Sequence, residues 1–260
     1  MFRAIFNGRL AEFKETPANA KMWDDHWKQK ITPRSYYKAM SGDLGDFDKP
    51  WAFMSQYLSP SDKILEAGCG LGRCTMALRK RGYACEGVDY AAHTVEEVKK
   101  LNPDLPIYVG DCFALEVPDG YYAAYLSFGV IEHFIDGPEP ILLEARRILR
   151  KAGLAYFSVP YLNLLRRKRL NQNLNVADPE KFYQYFFNYS ELSSTLNEFG
   201  FQIVYQHGYG AWKGIKDEIA LFQFLYNIPK IGGIYRILTH IIPGLENRLG
   251  HMVGVVCRSC

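Results

Sequence analysis

Residues 63–72 read Lys63-Ile64-Leu65-Glu66-Ala67-Gly68-Cys69-Gly70-Leu71-Gly72, and Gly87-Val88-Asp89 follows at the distance of one helix and one strand. The apolar start predicts a buried strand, and glycines at alternate positions predict a tight turn that leaves room for a ligand against the main chain. Asp89 ends the second strand, where a carboxylate can accept hydrogen bonds from both hydroxyls of a ribose. The two segments together predict a nucleoside-binding site at the start of the intervening helix.

The spacing of the glycines separates two kinds of nucleoside site. A dinucleotide-binding loop, G-x-G-x-x-G/A, would place glycine or alanine at position 73, where this chain has Arg73. The third glycine comes one residue earlier, at Gly72. The pattern E-x-G-x-G-x-G closely resembles the first motif of the class I S-adenosylmethionine-dependent methyltransferases. The resemblance covers about 63–160 strongly and 186–257 more loosely, and it implies S-adenosylmethionine as cofactor and S-adenosylhomocysteine as product.

Composition excludes several other classes of protein. The 260 residues suffice for one large domain or a core with insertions, and a net charge of +3 is too weak to indicate a nucleic-acid partner. Neither a signal peptide nor an apolar run long enough to span a membrane is recognisable. The six cysteines fall in predicted core strands and the ligand loop, apart from a terminal C-x-x-C without a second pair. We therefore expect reduced thiols and a cytoplasmic protein.

Strand and helix patterns alternate along the central part of the chain. Short apolar strands are predicted at about 63–67, 84–89, 106–110, 123–129 and 154–159, and helices at about 73–81, 93–101 and 138–150. Ser190 is expected to cap a further helix that ends near Gly200, and strands at 201–207 and 252–257 complete the chain. This alternation predicts an α/β fold with a parallel sheet and helices on both faces.

The resemblance implies the order of the strands and the division of the chain. The expected fold is a Rossmann-like seven-stranded sheet, order 3-2-1-4-5-7-6 with the last strand antiparallel, carrying helical lid insertions. Residues 1–60 are expected to form an N-terminal helical lid, and 61–260 the methyltransferase domain. Substrate-cap insertions fall at about 161–189 and 208–250, the first of which leaves the carboxyl edge where ligands bind.

The resemblance also assigns the residues that contact the cofactor. The residues of the first motif are expected to contact the amino-acid end of S-adenosylmethionine; they are Glu66, Gly68, Cys69, Gly70 and Gly72. Asp89 holds the ribose and Tyr90 lies against the adenine, with surface packing as the alternative for Tyr90. The carboxylate of Asp111 accepts from the adenine amino group and the amide of Cys112 meets a ring nitrogen. The main chain of Phe128 and Gly129 passes beneath the methionine part.

Glu132 and His133 follow the fourth strand and are the candidate catalytic residues. A histidine at the carboxyl edge can take a proton from a substrate hydroxyl; the alternative is a pair of structural hydrogen bonds at a helix start. Glu-His here resembles ubiquinone-pathway O-methyltransferases, some of which bind a divalent metal with a further acid three residues earlier. That position is Gly129, so we expect no metal. Cyclopropane-fatty-acid synthases have glycine where this chain has Ile135, which disfavours a lipid alkene.

The predicted function is methyl transfer to a small-molecule hydroxyl, on a quinone-like, aromatic, sugar or lipid-linked acceptor. RNA or protein methylation is the alternative, supported only by the basic run Arg166–Arg169, which a solvated helix face also explains. A non-catalytic S-adenosylmethionine-binding module is a third interpretation. Nucleic acid is not an expected partner, and the aromatic stretch 182–189 fits an acceptor wall or core packing equally. Residues 219–245 fit a pocket lid, a partner-protein contact or a peripheral membrane contact; the acceptor and the oligomeric state stay open.

Overall fold

The computed structural model describes residues 2–30, 40–169, 178–226, 228 and 231–260. We number strands and helices in chain order within these ranges. The first hairpin contains β1 (Phe2–Phe6) and β2 (Arg9–Phe13), and β8 (Phe182–Tyr185) pairs with it. The main sheet contains β3 (Lys63–Ala67), β4 (Ala84–Asp89), β5 (Ile107–Val109), β6 (Tyr122–Phe128), β7 (Leu149–Pro160), β9 (Phe201–Tyr209) and β10 (Met252–Ser259).

The main sheet has the order β5-β4-β3-β6-β7-β10-β9. Its first five strands run parallel, whereas β10 lies antiparallel to both of its neighbours, β7 and β9. Counted along the chain, these seven strands have the order 3-2-1-4-5-7-6, so the predicted Rossmann-like sheet with one antiparallel strand is confirmed. The order reverses between β3 and β6, and in such sheets ligands bind outside the carboxyl ends at this point.

The helices are α1 (Ala20–Lys28), α2 (Asp48–Met54), α3 (Arg73–Lys80), α4 (Ala92–Leu101), α5 (Glu139–Ile148), α6 (Leu164–Arg169), α7 (Tyr189–Glu198), α8 (Ala211–Lys216), α9 (Ala220–Tyr226), α10 (Ile231–Ile241) and α11 (Leu245–Leu249). The cap of α7 differs from the prediction: the Asn188 side chain accepts from the Glu191 amide at 2.9 Å, and Ser190 lies inside the helix. Both residue types cap helices well, so the local sequence did not separate them.

The two faces of the main sheet bury separate clusters. On one face, Leu65 and Phe157 pack with α5 and α7 side chains such as Leu142 and Leu196. On the other, Ile64 and Tyr156 pack with residues of α2 and α3, including Trp51. Neighbouring strand residues alternate between the clusters because successive side chains point to opposite faces. Helices therefore cover both faces, and the carboxyl edge of the sheet is left for a site.

The hairpin of β1 and β2 contradicts part of the prediction for residues 1–60. That segment was expected to be helical, and α1 and α2 are helices, but Phe2–Phe13 forms an antiparallel hairpin. The turn is Asn7-Gly8, with φ of 49° and 75°, a pair that favours two-residue hairpin turns. Against this hairpin lies β8, and Phe2, Phe13 and Phe182 pack between the strands. The physical signal was present in the sequence, and the helical interpretation overlooked it.

The insertions follow the expected strands. Residues 161–189 include α6 and β8, and 208–250 include α8 to α11; residues 170–177 lie outside the described part. Most of the aromatic stretch 182–189 is buried, including Tyr185, Phe186 and Phe187, which supports core packing for these side chains. Within the described ranges, none of the helices is both long and apolar enough to cross a membrane.

Candidate functional site

The glycine loop is held in a conformation that larger residues would resist. Gly68 and Gly70 have φ of +70° and +49°, in the left-handed region. A Cβ at Gly68 would collide with the Val130 side chain, and one at Gly70 would lie 2.7 Å from the Trp27 ring. Gly72 then begins α3 in the left-handed conformation. The loop therefore needs glycine both for its dihedral angles and for the close approach of neighbouring side chains.

Asp89 ties this loop to the end of β4. Its carboxylate accepts from the Gly70 amide at 2.7 Å and from the Ala91 amide at 2.9 Å. Burial raises the pKa of the Asp89 carboxyl, and the two amide hydrogen bonds act in the opposite direction. A carboxylate has about four acceptor sites. Asp89 also lines the cavity described next, so it retains acceptor capacity toward a ligand there.

A cavity of about 340 Å³ opens at the carboxyl edge of the sheet, beside the glycine loop. Its wall includes eight of the predicted site residues: Gly68, Asp89, Tyr90, Asp111, Cys112, Phe128, Gly129 and His133. The cavity falls within the range of about 300–1,000 Å³ that is usual for small-molecule sites. The tertiary fold thus gathers residues from four separate strand ends at one place.

Four residues assigned to the cofactor are not in the cavity wall: Glu66, Cys69, Gly70 and Gly72. The buried Glu66 carboxylate instead accepts from the Thr75 amide at 2.7 Å and the Thr75 hydroxyl at 2.6 Å. Burial, reinforced by the charge of Asp89, raises the pKa of Glu66 to about 7. Cys69 packs in an apolar cluster with Leu71 and Met76. These four residues contribute to the conformation of the glycine loop without lining the cavity.

The helix α1 forms the opposite wall. Residues 1–60 were expected to be a helical lid, but the sequence did not identify the residues of α1 that line the site. Trp23 and Trp27, together with residues 18–20, line the cavity. Asp24 holds α1 to the start of α4 by accepting from the Thr94 amide and hydroxyl, each at 2.8 Å. The signal available in the sequence was the four-residue spacing of the tryptophans after a capping Asn19. It predicted an amphipathic helix but not the surface that the helix covers.

His133 lies in a 3-10 turn after β6, with its ring at the cavity. Its Nδ1 donates to the Tyr183 carbonyl at 2.7 Å, which leaves Nε2 as the acceptor of a neutral ring. The ring also packs against Trp23 at 5.0 Å and Tyr183 at 4.9 Å between centroids. Burial lowers the pKa of His133 to about 4. Near neutral pH the imidazole is therefore uncharged and able to accept a proton.

Glu132 is buried behind His133 and outside the cavity wall. Its Oε1 lies 3.8 Å from His133 Nε2, and its Oε2 has no hydrogen-bond partner among the described residues. Burial raises the pKa of the Glu132 carboxyl to about 8. Glu132 is therefore mainly protonated at pH 7, and it lies beside His133 without lining the cavity.

The structure changes the interpretation of the basic run. Arg166 is 1% exposed and forms an ion pair with Glu218 at 3.1 Å. Its guanidinium also donates to the carbonyls of Tyr161 and His251. Arg166 therefore joins the insertions together and belongs neither to a solvated face nor to a docking patch. Arg167 and Lys168 of the run are exposed.

Metal and thiol chemistry have little basis in the described residues. Within those ranges, no group of three or more histidine, cysteine, aspartate or glutamate side chains is arranged to hold a metal ion. All six cysteines are free thiols, and burial raises the pKa of Cys112, the one in the cavity wall, to about 12. The carboxylates, amides and neutral histidine are thus the polar groups that the site offers.

Comparisons with known proteins agree with this geometry. The family model described as "Methyltransferase domain" matches residues 43–206. A protein of Mycolicibacterium smegmatis named as an S-adenosylmethionine-dependent methyltransferase is 29% identical over 141 residues, which are 54% of this chain and 52% of that protein. A relative of that name from Mycobacterium tuberculosis is 29% identical over 53% of this chain and 48% of its own length. The chain spans about half the length of the curated relatives it matches.

Two solved structures show the same fold at low sequence identity. One is a chain of the complex between the Haloferax volcanii Trm112 methyltransferase activator and a methyltransferase, with TM-score 0.58, 16% identity and coverage of 92% and 95% of the two chains. The other is 1,6-didemethyltoxoflavin-N1-methyltransferase of Burkholderia thailandensis with S-adenosylhomocysteine bound, with TM-score 0.54, 15% identity and coverage of 100% and 99%. With the family match over residues 43–206, the chain belongs to the class I S-adenosylmethionine-dependent methyltransferases.

Proposed function

We propose that this protein transfers a methyl group from S-adenosylmethionine to a hydroxyl oxygen of a small-molecule acceptor. The observation that carries the proposal is that Asp89 and His133 line one cavity, while the hydrogen bond from Nδ1 to Tyr183 leaves the His133 Nε2 as a proton acceptor. The acceptors that suit this chemistry are quinone-like, aromatic, sugar or lipid-linked hydroxyl compounds.

The cavity fits the cofactor of the family. Asp89 and Asp111 offer carboxylates for the ribose and for the adenine amino group, with Tyr90 and Cys112 beside them. Gly68 contributes main-chain atoms alone to the cavity wall, since it has no side chain. Bound S-adenosylmethionine supplies a sulfonium methyl carbon, to which an acceptor oxygen bonds while the carbon–sulfur electron pair returns to sulfur.

Proton removal is the task left to the protein. His133 Nε2 receives the hydroxyl proton as the acceptor reacts, and the Tyr183 carbonyl fixes the ring orientation. A histidine with a pKa of about 4 is a weak base, so it acts as the hydroxyl becomes acidic in the transition state, not before. Trp23 lines the cavity beside His133, and Tyr183 packs on both rings, which holds them in fixed positions and contributes to rate through orientation.

The alternatives have less support. RNA or protein methylation depended on the basic run, and its first member Arg166 is buried in an ion pair. A protein that only binds S-adenosylmethionine would need the part of the cavity formed by Gly68, Asp89 and Asp111, but it would not need a proton acceptor at His133. The proposal also includes a cytoplasmic location, which free thiols favour, and a peripheral membrane contact for a lipid-linked acceptor.

The test combines binding and transfer on the full chain. Calorimetry with S-adenosylhomocysteine should show saturable binding, and isotopically labelled S-adenosylmethionine should transfer label to some members of a panel of phenols, quinols and lipid-linked alcohols. A matched panel in which amines replace the hydroxyl groups serves as the control. Saturable binding with transfer only to amines would refute the hydroxyl acceptor, and binding without transfer to any compound would favour the binding module.

A further inference from the structure

Three aromatic side chains on the α1 side of the cavity form a row, here called the aromatic row, which consists of Trp27, Trp23 and Tyr183. The ring centroids of Trp27 and Trp23 are 6.3 Å apart, with 26° between the ring planes. Those of Trp23 and Tyr183 are 6.4 Å apart, with 35° between the planes. Both tryptophans line the cavity, and Tyr183 packs on His133. The row therefore extends along the cavity to the candidate base.

An ammonium group lies at each end of the aromatic row. Lys14 Nζ is 3.0 Å from the centre of the Tyr183 ring, and Lys30 Nζ is 5.2 Å from the centre of the Trp27 ring. The Tyr183 and His133 ring centres are 4.9 Å apart, so Lys14 Nζ lies within about 8 Å of the His133 ring centre. A charge at that distance from a partly buried site acts on a ligand there with less screening than in water.

His26 lies beside the aromatic row and is close to the Lys30 ammonium. Its Nε2 is 2.6 Å from Lys30 Nζ, so the neutral ring accepts a hydrogen bond from the ammonium. The ring packs on both tryptophans of the row, with centroid distances of 5.4 Å and 4.9 Å. Burial lowers the pKa of His26 to about 4, and the charges of Lys30, Lys14 and Lys213 act in the same direction. Ammonium groups from separate segments therefore act together beside the row.

The carboxylate that pairs with Lys14 is shared with a second cation. Glu12 Oε1 lies 3.7 Å from Lys14 Nζ, and Glu12 Oε2 lies 3.7 Å from Arg3 Nε. Arg3 also pairs with Glu218, which holds the buried Arg166. Within this chain of ion pairs, three cations share two carboxylates. The chain therefore keeps a net positive charge, and its Lys14 end lies at the aromatic row.

We propose that Lys14 and Lys30 select an acceptor that carries an anionic group, a carboxylate or a phosphate, in addition to the hydroxyl that receives the methyl group. A planar acceptor lies along the aromatic row, with its hydroxyl at His133 and its anionic group paired with an ammonium at one end. The flexible four-carbon side chain of lysine lets Nζ move from an aromatic ring to such a group. This inference deepens the proposed function and rests on it for the position of the reacting hydroxyl.

The distribution of charge around the cavity favours an anionic acceptor over a neutral or cationic one. Asp89 and Asp111 lie in the part of the wall assigned to the nucleoside, whereas Lys14 and Lys30 lie at the aromatic row. The sulfonium group of the cofactor is positive as well. An anionic acceptor is attracted by the sulfonium and by the ammonium groups, whereas a protonated amine is repelled by both.

The experiment is calorimetry of matched acids and neutral compounds with the full chain saturated with S-adenosylhomocysteine. One pair is protocatechuate and its methyl ester, and the other is hydroquinone monophosphate and hydroquinone monomethyl ether. We expect at least one acid to bind at least about fivefold more tightly than its neutral partner, and added salt to reduce this preference. Which of the two acids shows the preference distinguishes a carboxylate from a phosphate.

Charge-removing and charge-keeping variants assign the preference to the two lysines. The variant carrying both Lys14→Gln and Lys30→Gln should lose the preference for acids, whereas Lys14→Arg with Lys30→Arg should keep it, because arginine retains the charge. Lys151→Gln is the matched control, since Lys151 is an exposed lysine near the start of β7, and it should behave as the parent protein does.

Three results would overturn the proposal: no binding of either acid, equal binding of acid and neutral compound in both pairs, or a preference that survives in the double glutamine variant. If the double variant fails to fold, Lys30→Gln alone replaces it, because Lys30 is exposed, and the preference should fall at least about twofold.

Binding of S-adenosylhomocysteine by every variant is measured in parallel and should not change. Weaker binding of S-adenosylhomocysteine by Lys30→Gln with an unchanged preference for acids would assign Lys30 to the carboxylate of the cofactor and would also overturn the proposal. The measurement does not require methyl transfer. Transfer only to amines, with the preference for acids intact, would therefore refute the hydroxyl acceptor and leave the anionic group supported.

Discussion

The two sides of the cavity are held together in different ways. The nucleoside side is formed by Gly68, Asp89, Tyr90, Asp111 and Cys112. It is fixed by hydrogen bonds between residues that are near in sequence, such as the one that the Gly70 amide donates to Asp89, 19 residues away. The cap side is formed by α1 and residues 18–20 and depends on long-range contacts, and Tyr183 supports it by packing on Trp23 and His133. Asp24 reaches Thr94 across 70 residues, and Tyr183 reaches His133 across 50. Local motifs thus build the side proposed to bind the cofactor, whereas the side proposed to face the acceptor forms only when distant segments meet.

His133 stands where the two sides meet, so its removal should have the largest effect. We expect His133→Ala to lower kcat about a hundredfold, because general-base catalysis contributes about 10²–10⁴. The dissociation constant of S-adenosylhomocysteine should change by less than about twofold. Steady-state kinetics and calorimetry check both quantities.

His133→Asn is the matched control for a structural role. Its side-chain amide can still donate to the Tyr183 carbonyl but offers no acceptor in the place of Nε2. We expect it to be as inactive as His133→Ala while melting at a temperature closer to that of the parent protein. Full activity of His133→Asn would show that His133 does not act as the base and that it only connects the two sides of the cavity.

On the nucleoside side, Asp89→Ala should weaken S-adenosylhomocysteine binding by about tenfold or more. A hydrogen bond to a charged group contributes about 1.5–3 kcal/mol, and Asp89 also positions the Gly70 amide. Asp104→Ala, at an exposed acid of the same half of the domain, should bind as the parent protein does. Unchanged affinity of Asp89→Ala in calorimetry would contradict the ribose assignment.

The Glu132 carboxyl, beside His133 where the two sides meet, should make the stability of the protein depend on pH. The folded-state pKa of Glu132 is raised to about 8 from 4.5, so its contribution to stability is complete below about pH 4.5 and is lost as pH rises toward 8. Glu132→Gln removes this loss. We therefore expect the unfolding free energy of the parent protein to fall between pH 5 and 8, relative to Glu132→Gln, by at most about 1.4 kcal/mol for each pH unit.

Urea denaturation at several pH values measures this difference. The exposed Glu139→Gln on α5 serves as the control and should follow the parent protein at every pH. Parallel curves for the parent protein and Glu132→Gln would show that Glu132 is ionised in the folded protein, contrary to its buried position.

The smallest effect is expected on the cap side. Asp24→Ala removes the two hydrogen bonds to Thr94, and both freed donors can be solvated when α1 moves. We expect S-adenosylhomocysteine affinity to fall about threefold, since a net hydrogen bond contributes about 0.5–1.5 kcal/mol. Asp25→Ala, one residue along and exposed, is the control. A loss as large as that of Asp89→Ala would show that the cap side holds the cofactor as firmly as the nucleoside side.

Local pattern predicted most of the main domain. The strands from β3 to β7 were predicted because short apolar runs bounded by turn residues are encoded over short distances, whereas the order of the sheet was implied by the resemblance to the methyltransferase family. The Asn7-Gly8 hairpin was encoded in the same way, and the helical interpretation of residues 1–60 missed it. A lid was expected within residues 1–60, but the lining residues of α1 were not accessible, because its tryptophans indicate an apolar face without indicating what that face covers.

The same division applies to individual charged residues. Glu66 matches the first motif, yet its carboxylate is directed to Thr75 by the packing of α3 behind the loop. Arg166 belongs to a run of four basic residues, yet Glu218, 52 residues away, draws it into the interior. A one-dimensional pattern gives the type and spacing of a charge, but its burial depends on which distant partner can compensate it.

The amino-acid sequence alone determined the family, the cofactor expected of it and the positions of Asp89, Asp111 and His133, since each follows a strand end that short-range pattern defines. Only the tertiary structure decided that Trp23 and Trp27 of α1 line the cavity, that Glu132 is withdrawn from it and that the isoleucines of α10 face outward. The reason is physical: a motif is set by backbone geometry over a few residues, whereas exposure and pKa depend on every segment that packs around a side chain.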